Sequence, residues 1–289
     1  MKAVILHAKI PKINGAVIDA FEYYIAILEH NPQVRLLLLD AKRGIMQSFI
    51  DTFENRYVLD DLDWKKNIWV MPRSSLLKQN FEKVLVLDYS TIYHTRGLLK
   101  GEITVINELH LEDDEFPIEA DDKPKLIVLS DKHTDKPEFM YSKKLYDVTY
   151  YGEMPFVYKD KEYNMKILFD RFKPLRKVTP GIYINSPMNK DYSFVEQLDL
   201  PDKPIIYKSD EHMENLFEHF DTYVYWHAAK WFDPHPRLFL ECMFYDKDIM
   251  YFNEPGWKDG SYYRIEDMKV NGLGGRFLRK DDEIVQQFI

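Results

Sequence analysis

Two short apolar runs flank an amphipathic segment within the first forty residues of the chain. The runs at residues 2–8 (KAVILHA) and 34–40 (VRLLLLD) have the length and the aliphatic content of buried strands. In residues 16–30, between the two runs, apolar side chains recur at the spacing of a helix. A strand, a helix and a second strand in this order predict a βαβ unit, and hence a parallel sheet covered by helices.

The same alternation of apolar runs and helical segments continues along the chain and is interrupted once. Further strands are predicted at residues 68–71, 83–88, 125–129, 181–185, 203–208 and 222–226. The interruption is residues 172–181 (FKPLRKVTPG), where two prolines and a glycine mark a domain boundary. We therefore predict an α/β fold with two Rossmann-like domains, residues 1–172 and 173–289, whose mostly parallel sheets face a central cleft.

The composition favours a soluble protein of the reducing cytoplasm. Cys242 is the only cysteine, so no internal disulfide can form. No stretch reaches the roughly 18 apolar residues that a membrane span needs, so no membrane association is expected. The net charge of −9 argues against non-specific binding of phosphate backbones as the main activity. Two basic segments, residues 171–177 and 276–280, are interpreted as solvated surface clusters. We expect the protein to be a monomer.

One carboxylate in the second half lies in a segment whose neighbouring side chains are apolar. Pro236 suits the first position of a helix, and from Arg237 onward apolar residues nearly surround the predicted helix axis. Burying Glu241 among them is costly unless another protein group or the hydroxyls of a ligand hydrogen-bond to its carboxylate. The alternative is an ordinary, partly exposed glutamate on a helix surface.

Polar residues that follow the first strand of the second half suit a phosphate group. Asn185, Ser186 and Lys190 lie between that strand and the next helix, where backbone N–H groups and the helix dipole attract anions. Arg237 lies one turn before Glu241 and is placed to contact the same anion. Since Glu241 can accept two hydroxyl groups, these five residues predict a site for the diphosphate and ribose of a nucleotide-sugar donor.

A base that activates an acceptor is expected where an apolar strand of the first half ends. Asp131 follows the strand at 125–129, which places it at the carboxyl edge of an open α/β sheet. Asp88 occupies the same kind of position and is read as a structural, loop-capping residue. His94 and His133 are interpreted as polar loop residues and not as metal ligands. A divalent metal is not indicated, because the D-x-D letters within residues 60–63 lie in an exposed turn context.

Four segments together resemble two-domain GT-B glycosyltransferases, and above all the DNA glucosyltransferases of T-even bacteriophages. The segments FEKVLVLDYSTIYHTRG and KPKLIVLSDKHTDKP are similar to two strand-loop units of the first domain of the phage enzymes. Ser130 and Asp131 stand where that family has a threonine and its catalytic aspartate. GIYINSPMNKDYSFVEQL and PRLFLECMFYDKDIMYFNE resemble the phosphate loop and the donor-binding helix of the second domain. Asn185, Ser186, Asn189 and Lys190 replace the arginine- and glycine-rich loop of the phage beta-glucosyltransferase.

The resemblance implies an inverting transferase that takes a sugar from a UDP-sugar and needs no tightly bound cofactor. Asp131 would be the base, and Lys190 and Arg237 would stabilise the leaving diphosphate. The acceptor implied is 5-hydroxymethylcytosine in double-stranded DNA, or an already glycosylated form of it, and a phage-encoded enzyme would act in the host cytoplasm. Two alternatives remain: a glycosyltransferase acting on a glycan or a small molecule, and a non-catalytic protein that binds a nucleotide or a glycan.

Overall fold

The structure is a computed structural model, and the chain forms two compact units. It describes residues 1–7, 15–42, 44–87, 89–95, 97–107, 125–128, 147–150, 171–185, 192, 195–196, 198–207, 216–227, 237–253 and 281–289. The described residues up to 172, together with 281–289, belong to the first unit, and 173–253 belong to the second.

The first unit is built on a sheet of seven parallel strands. They are β1 (Lys2–His7), β2 (Arg35–Leu39), β3 (Ile68–Met71), β4 (Lys83–Leu87), β5 (Glu102–Asn107), β6 (Lys125–Val128) and β7 (Asp147–Tyr150). Their order across the sheet is β3-β2-β1-β4-β5-β6-β7, which is a doubly wound order. The chain moves in one direction from β1 to β3 and in the other from β4 to β7, so the topological switch point lies between β1 and β4.

The described helices are α1 (Gly15–His30), α2 (Ile45–Arg56), α3 (Tyr89–Thr95), α4 (Arg237–Phe244) and α5 (Asp281–Gln286). Helix α1 is buried along most of its length and packs on β1, β2 and β4. The Phe21 ring stacks on Phe53 of α2 with ring centroids 3.7 Å apart, and Trp64 meets it edge-on at 5.3 Å. These rings bury a large apolar area between α1 and α2, which holds both helices against the sheet.

The last residues of the chain pack in the first unit, although the sequence analysis assigned residues 173–289 as a whole to the second domain. Helix α5 contacts α1. Ile284 and Phe288 are buried, and the Phe288 carbonyl accepts a hydrogen bond of 3.0 Å from the side-chain amide of Asn31. The physical reason is the apolar face of this short helix, which needs a partner and finds it on α1.

The second unit contains a smaller parallel sheet of four strands. These are β8 (Ile182–Asn185), β9 (Ile205–Tyr207), β10 (Thr222–His227) and β11 (Asp248–Asn253), in the order β11-β10-β8-β9. The prediction of an α/β chain with two mostly parallel sheets is therefore confirmed. In this sheet the switch point lies between β8 and β10, because the chain goes from β8 to β9 on one side and then crosses to β10 on the other.

Two elements of the first unit differ from the sequence-based expectation. Residues 89–95 were predicted as loop and form α3, and β5 was not predicted at all. In α3, Ile92 packs in the core and the Thr95 hydroxyl donates a 2.8 Å hydrogen bond to the carbonyl of Thr91. Packing against the sheet thus stabilises a helix whose residues, mostly β-branched or aromatic, have low intrinsic helix propensity.

Replacing Gly101 by Ala is expected to lower the free energy of unfolding by about 3 kcal/mol. Gly101 has φ +111°, and an added Cβ would lie 2.5 Å from the backbone oxygen of Phe81 at the start of the β4–β5 pairing. Gly97 is a matched control, since its φ is +67° but a Cβ there would meet nothing within 4 Å in the described structure. Urea unfolding should show a loss of only about 1 kcal/mol for Gly97→Ala. Equal losses in the two variants would contradict the close approach at Gly101.

Candidate functional site

The predicted phosphate-binding loop begins at the carboxyl edge of the second sheet. Strand β8 ends at Asn185, which lies opposite Tyr225 of the neighbouring strand β10. This is the switch point of the sheet, the place where ligands bind in open α/β structures. The backbone therefore puts Asn185 at the carboxyl edge of the sheet, beside its switch point, while Ser186 and Lys190 lie outside the described residues.

Helix α4 begins at Arg237 and carries the predicted carboxylate one turn later. Glu241 is 3% exposed, so its predicted burial is confirmed. The helix packs on β10 and β11 and ends where the N–H groups of Tyr245 and Lys247 bond to the carbonyls of Glu241 and Cys242. Because the chain next enters β11, the end of α4 lies toward the amino edge of the sheet and its start, at Arg237, toward the carboxyl edge.

The charges around α4 lie in a poorly solvated region. Burial raises the pKa of the Cys242 thiol well above its usual value, the negative charge of Glu241 raises this pKa further, and Lys247 opposes both effects. Lys247 is itself buried, which lowers the pKa of its ammonium group. Its Nζ donates to the carbonyls of Phe217 and Phe220 at 2.6 and 2.7 Å. Cys242 is thus a packing residue, and Glu241 is a buried carboxylate next to it in the same helix.

The predicted base follows the carboxyl end of β6. This strand ends at Val128 and pairs with β5 and β7, and Asp131 comes three residues later in the chain. Asp131 lies outside the described residues, as do Asp88 and His133. The described backbone reaches the carboxyl edge of the first sheet at Val128, and the position of Asp131 stays a prediction.

A cluster of polar side chains that the sequence analysis did not assign to a site occupies the carboxyl edge of the first sheet. It consists of His7, Asp40, Arg73 and His94. The His7 Nε2 lies 3.6 Å from the Asp40 Oδ2, and the rings of His7 and His94 pack with centroids 3.9 Å apart. Arg73 donates from Nη1 to the Nδ1 of His94 at 2.7 Å. His94, interpreted above as a polar loop residue, is instead part of α3 and of this cluster.

A sequence signal for this cluster exists, but it needs the strand order. His7 is the last residue of β1, Asp40 follows β2 directly, and Arg73 lies two residues after the end of β3. Polar side chains directly after parallel strands gather at one edge of the sheet. The linear sequence does not reveal that β4 pairs with β1, or that α3, which follows β4, therefore lies close to the end of β1.

Part of the basic segment at residues 171–177 is engaged in ion pairs within the first unit. Arg171 donates to both carboxylate oxygens of Asp61, at 2.7 and 3.0 Å, and to Glu29 at 2.6 Å. The hydrogen bonds from Arg171 lower the pKa of Asp61, which is one of the D-x-D aspartates that the sequence analysis set aside. Arg171 thus fastens the chain, just before it enters the second unit, to α1 and to the turn at Asp61, and it is not a freely solvated cation.

Within the described ranges, no group of three or more His, Cys, Asp or Glu side chains is arranged to hold a metal ion. None of the helices in those ranges has the length and apolar character required to span a membrane. A comparison of the chain with known protein families finds no match, and a comparison with curated proteins finds none either.

Proposed function

We propose that this protein is a glycosyltransferase of the GT-B type that moves a sugar from a UDP-sugar to a hydroxyl acceptor. The observation that carries the proposal is the burial of Glu241 on α4, next to a small parallel sheet whose switch point is occupied by Asn185. An ionised carboxylate has about four lone-pair positions, so Glu241 can accept the two ribose hydroxyls of a nucleotide in addition to its interactions within the protein.

The remaining donor contacts follow the order of the chain in the second unit. Asn185, Ser186 and Lys190 would contact the diphosphate after β8, and Arg237 would contact it from the start of α4. Arg237 and Glu241 are four residues apart in one helix and so lie on the same side of it. This spacing suits a guanidinium on the phosphates and a carboxylate on the ribose of a single nucleotide.

In the proposed reaction, Asp131 takes the proton from the acceptor hydroxyl as its oxygen attacks the anomeric carbon of the sugar. The new carbon–oxygen bond forms on the face opposite the leaving group, the bond to the diphosphate breaks, and UDP leaves with the electron pair. Lys190 and Arg237 stabilise the negative charge that grows on the diphosphate. The configuration at the anomeric carbon is inverted, and neither a tightly bound cofactor nor a metal enters this scheme.

The acceptor proposed first is 5-hydroxymethylcytosine in phage DNA, or a glycosylated form of it, because the segments of the chain resemble the phage DNA glucosyltransferases. In that case the enzyme would act in the cytoplasm of the infected host. A glycan or small-molecule acceptor is the second candidate. It is favoured by the net charge of −9 and by the engagement of Arg171 with Asp61 and Glu29, which leave less positive charge for a DNA backbone.

UDP release from UDP-glucose and UDP-arabinose, measured with and without DNA that contains hydroxymethylcytosine, tests the proposal. Release that depends on this DNA supports the first acceptor, and release with glycan or small-molecule acceptors alone supports the second. The donor is also expected to stabilise the folded protein by ~2.7 kcal/mol at 100 times its dissociation constant. Absence of both UDP release and thermal stabilisation with either sugar nucleotide would contradict the proposed function.

A further inference from the structure

The His7, Asp40, Arg73 and His94 cluster lies beside the topological switch point of the seven-stranded sheet. His7 ends β1, and α3 follows β4, the strand on the other side of the switch point. The backbone N–H of His7 donates a 2.8 Å hydrogen bond to the Thr91 hydroxyl of α3, which fixes the helix against the end of the strand. In doubly wound sheets this crevice is where ligands bind.

The Asp40 carboxylate contacts both the backbone and the side chain of Arg73. Its Oδ1 accepts a hydrogen bond of 3.1 Å from the backbone N–H of Arg73, and its Oδ2 lies 3.7 Å from the Arg73 Nε. Asp40 has φ +55°, a left-handed conformation that aspartate and asparagine tolerate better than most residues. The left-handed backbone of Asp40 thus brings its carboxylate to Arg73, two residues after the end of β3.

A hydrogen bond to His94 orients the guanidinium of Arg73. Because arginine only donates hydrogen bonds, the Nδ1 of His94 must accept the 2.7 Å bond from Nη1 and carries no proton there. The His94 ring in turn packs against the buried ring of His7, with centroids 3.9 Å apart. A chain of contacts from β1 through His7 and His94 therefore fixes one edge of the guanidinium.

The other edge of the guanidinium is available for a ligand. The Arg73 side chain is 49% exposed, and its Nε and Nη1 take part in the contacts to Asp40 and His94. Among the described residues, the Nη2 of Arg73 makes no hydrogen bond or ion pair of its own. A positively charged group that is fixed on one side and solvated on the other is suited to bind an oxyanion, because little side-chain freedom is lost on binding.

We infer that the crevice at the carboxyl ends of β1, β2 and β3, beside α3, is an oxyanion-binding site in which Arg73 supplies the charge and His94 and Asp40 set its direction. The ligand is a phosphate or carboxylate group. All four residues of this cluster belong to the first unit, whereas Asn185 and Glu241 belong to the second. If the protein is the proposed glycosyltransferase, a phosphate bound here would belong to the nucleotide acceptor; that assignment rests on the proposed function, whereas binding of an oxyanion does not.

The test is a titration of the whole protein with inorganic phosphate, followed by NMR of the histidine ring nitrogens. His94 and His7 signals are expected to shift with phosphate and with deoxycytidine 5′-monophosphate, and to stay in place with deoxycytidine at equal concentration. Sodium chloride at matched ionic strength is the control for screening, and acetate distinguishes a carboxylate from a phosphate ligand. The other seven of the nine histidines serve as an internal reference.

Three variants connect the shifts to Arg73. Arg73→Gln is expected to weaken phosphate binding about tenfold or more, because charge-assisted hydrogen bonds are lost. Arg176→Gln removes an exposed arginine of the second unit and should leave the titration unchanged. Asp40→Asn should tighten phosphate binding about threefold, because it removes a negative charge that repels the oxyanion. The amide oxygen of the new side chain can still accept the hydrogen bond from the backbone N–H of Arg73.

Equal phosphate titrations in the wild type and in Arg73→Gln would overturn the inference, and so would ring signals that do not respond to millimolar phosphate or acetate. Weaker binding in Asp40→Asn would contradict the charge balance described for the site. Because these titrations contain no UDP-sugar, their failure leaves the glycosyltransferase proposal intact. Conversely, a protein that neither binds UDP nor releases it from a UDP-sugar would not contradict the oxyanion site.

Discussion

Sugar transfer is expected to fall by about three orders of magnitude when Asp131 is replaced by Asn. The amide keeps the size of the carboxylate but cannot take the proton from the acceptor hydroxyl. The donor contacts proposed for Glu241, Arg237 and Lys190 are unaffected by the change. UDP should therefore bind to Asp131→Asn with nearly the wild-type affinity while turnover is lost, which separates a missing base from a misfolded protein.

Asp88→Asn is the matched control for this prediction, because Asp88 also follows an apolar strand of the first sheet. Initial rates of UDP formation at saturating donor should stay within about threefold of the wild type for Asp88→Asn, as for a residue outside the chemical step. Loss of transfer in Asp88→Asn together with wild-type turnover in Asp131→Asn would move the base to Asp88. Wild-type turnover in Asp131→Asn alone is enough to refute the assignment of Asp131.

The second large effect is expected in donor binding when Glu241 is replaced by Gln. A carboxylate accepts charge-assisted hydrogen bonds from the ribose hydroxyls, and the amide replaces them by weaker, neutral ones. We expect a loss of about 2 kcal/mol in binding free energy, or roughly thirtyfold in the dissociation constant of UDP. Calorimetric titration of UDP into the two proteins measures the difference directly.

Glu196→Gln is the control for the donor site, since Glu196 is an exposed carboxylate of the same unit. It should leave UDP affinity and thermal stability unchanged. A Glu241→Gln protein that binds UDP as tightly as the wild type but unfolds more easily would identify Glu241 as a structural residue, satisfied by protein groups alone. That result would remove the observation on which the proposed function depends.

The central strands β1, β2 and β4 were predictable from sequence because most of their residues are buried. Strand β3 has the predicted bounds, β1 is shorter than predicted by one residue at its end, and β2 is shorter by one residue at each end. Nearly continuous aliphatic runs such as RLLLL are typical of parallel strands that are buried on both faces. Strand β5, EITVIN, is a weaker signal because its first half alternates with polar residues, and it was missed although Val105 and Ile106 are fully buried.

Tertiary packing accounts for what the sequence could not predict. Helix α3 has low helix propensity and depends on the burial of Ile92 and Thr91 against the sheet. The C-terminal helix α5 carries only a short apolar face, and nothing local indicates that it packs on α1 near the other end of the chain. Both cases depend on contacts between distant segments, which spacing alone does not encode.

The same limit applies to the sites. Glu241 could be singled out because one carboxylate among apolar neighbours is visible in the sequence, and its burial is confirmed. The contact of Arg73 with His94 was not visible, because it requires β4 to lie beside β1 and α3 to follow it. The roles given to Asp131, Asn185, Ser186, Lys190 and Arg237 remain predictions.

Hydrogen–deuterium exchange of the wild-type protein with saturating UDP-glucose or UDP-arabinose tests the central claim most directly. The account predicts slower amide exchange in peptides that cover residues 185–190 and 237–244, because bound diphosphate and ribose suppress local opening there. UDP alone should protect the same peptides. Unchanged exchange in both segments with every one of these ligands would contradict a UDP-sugar site in the second unit.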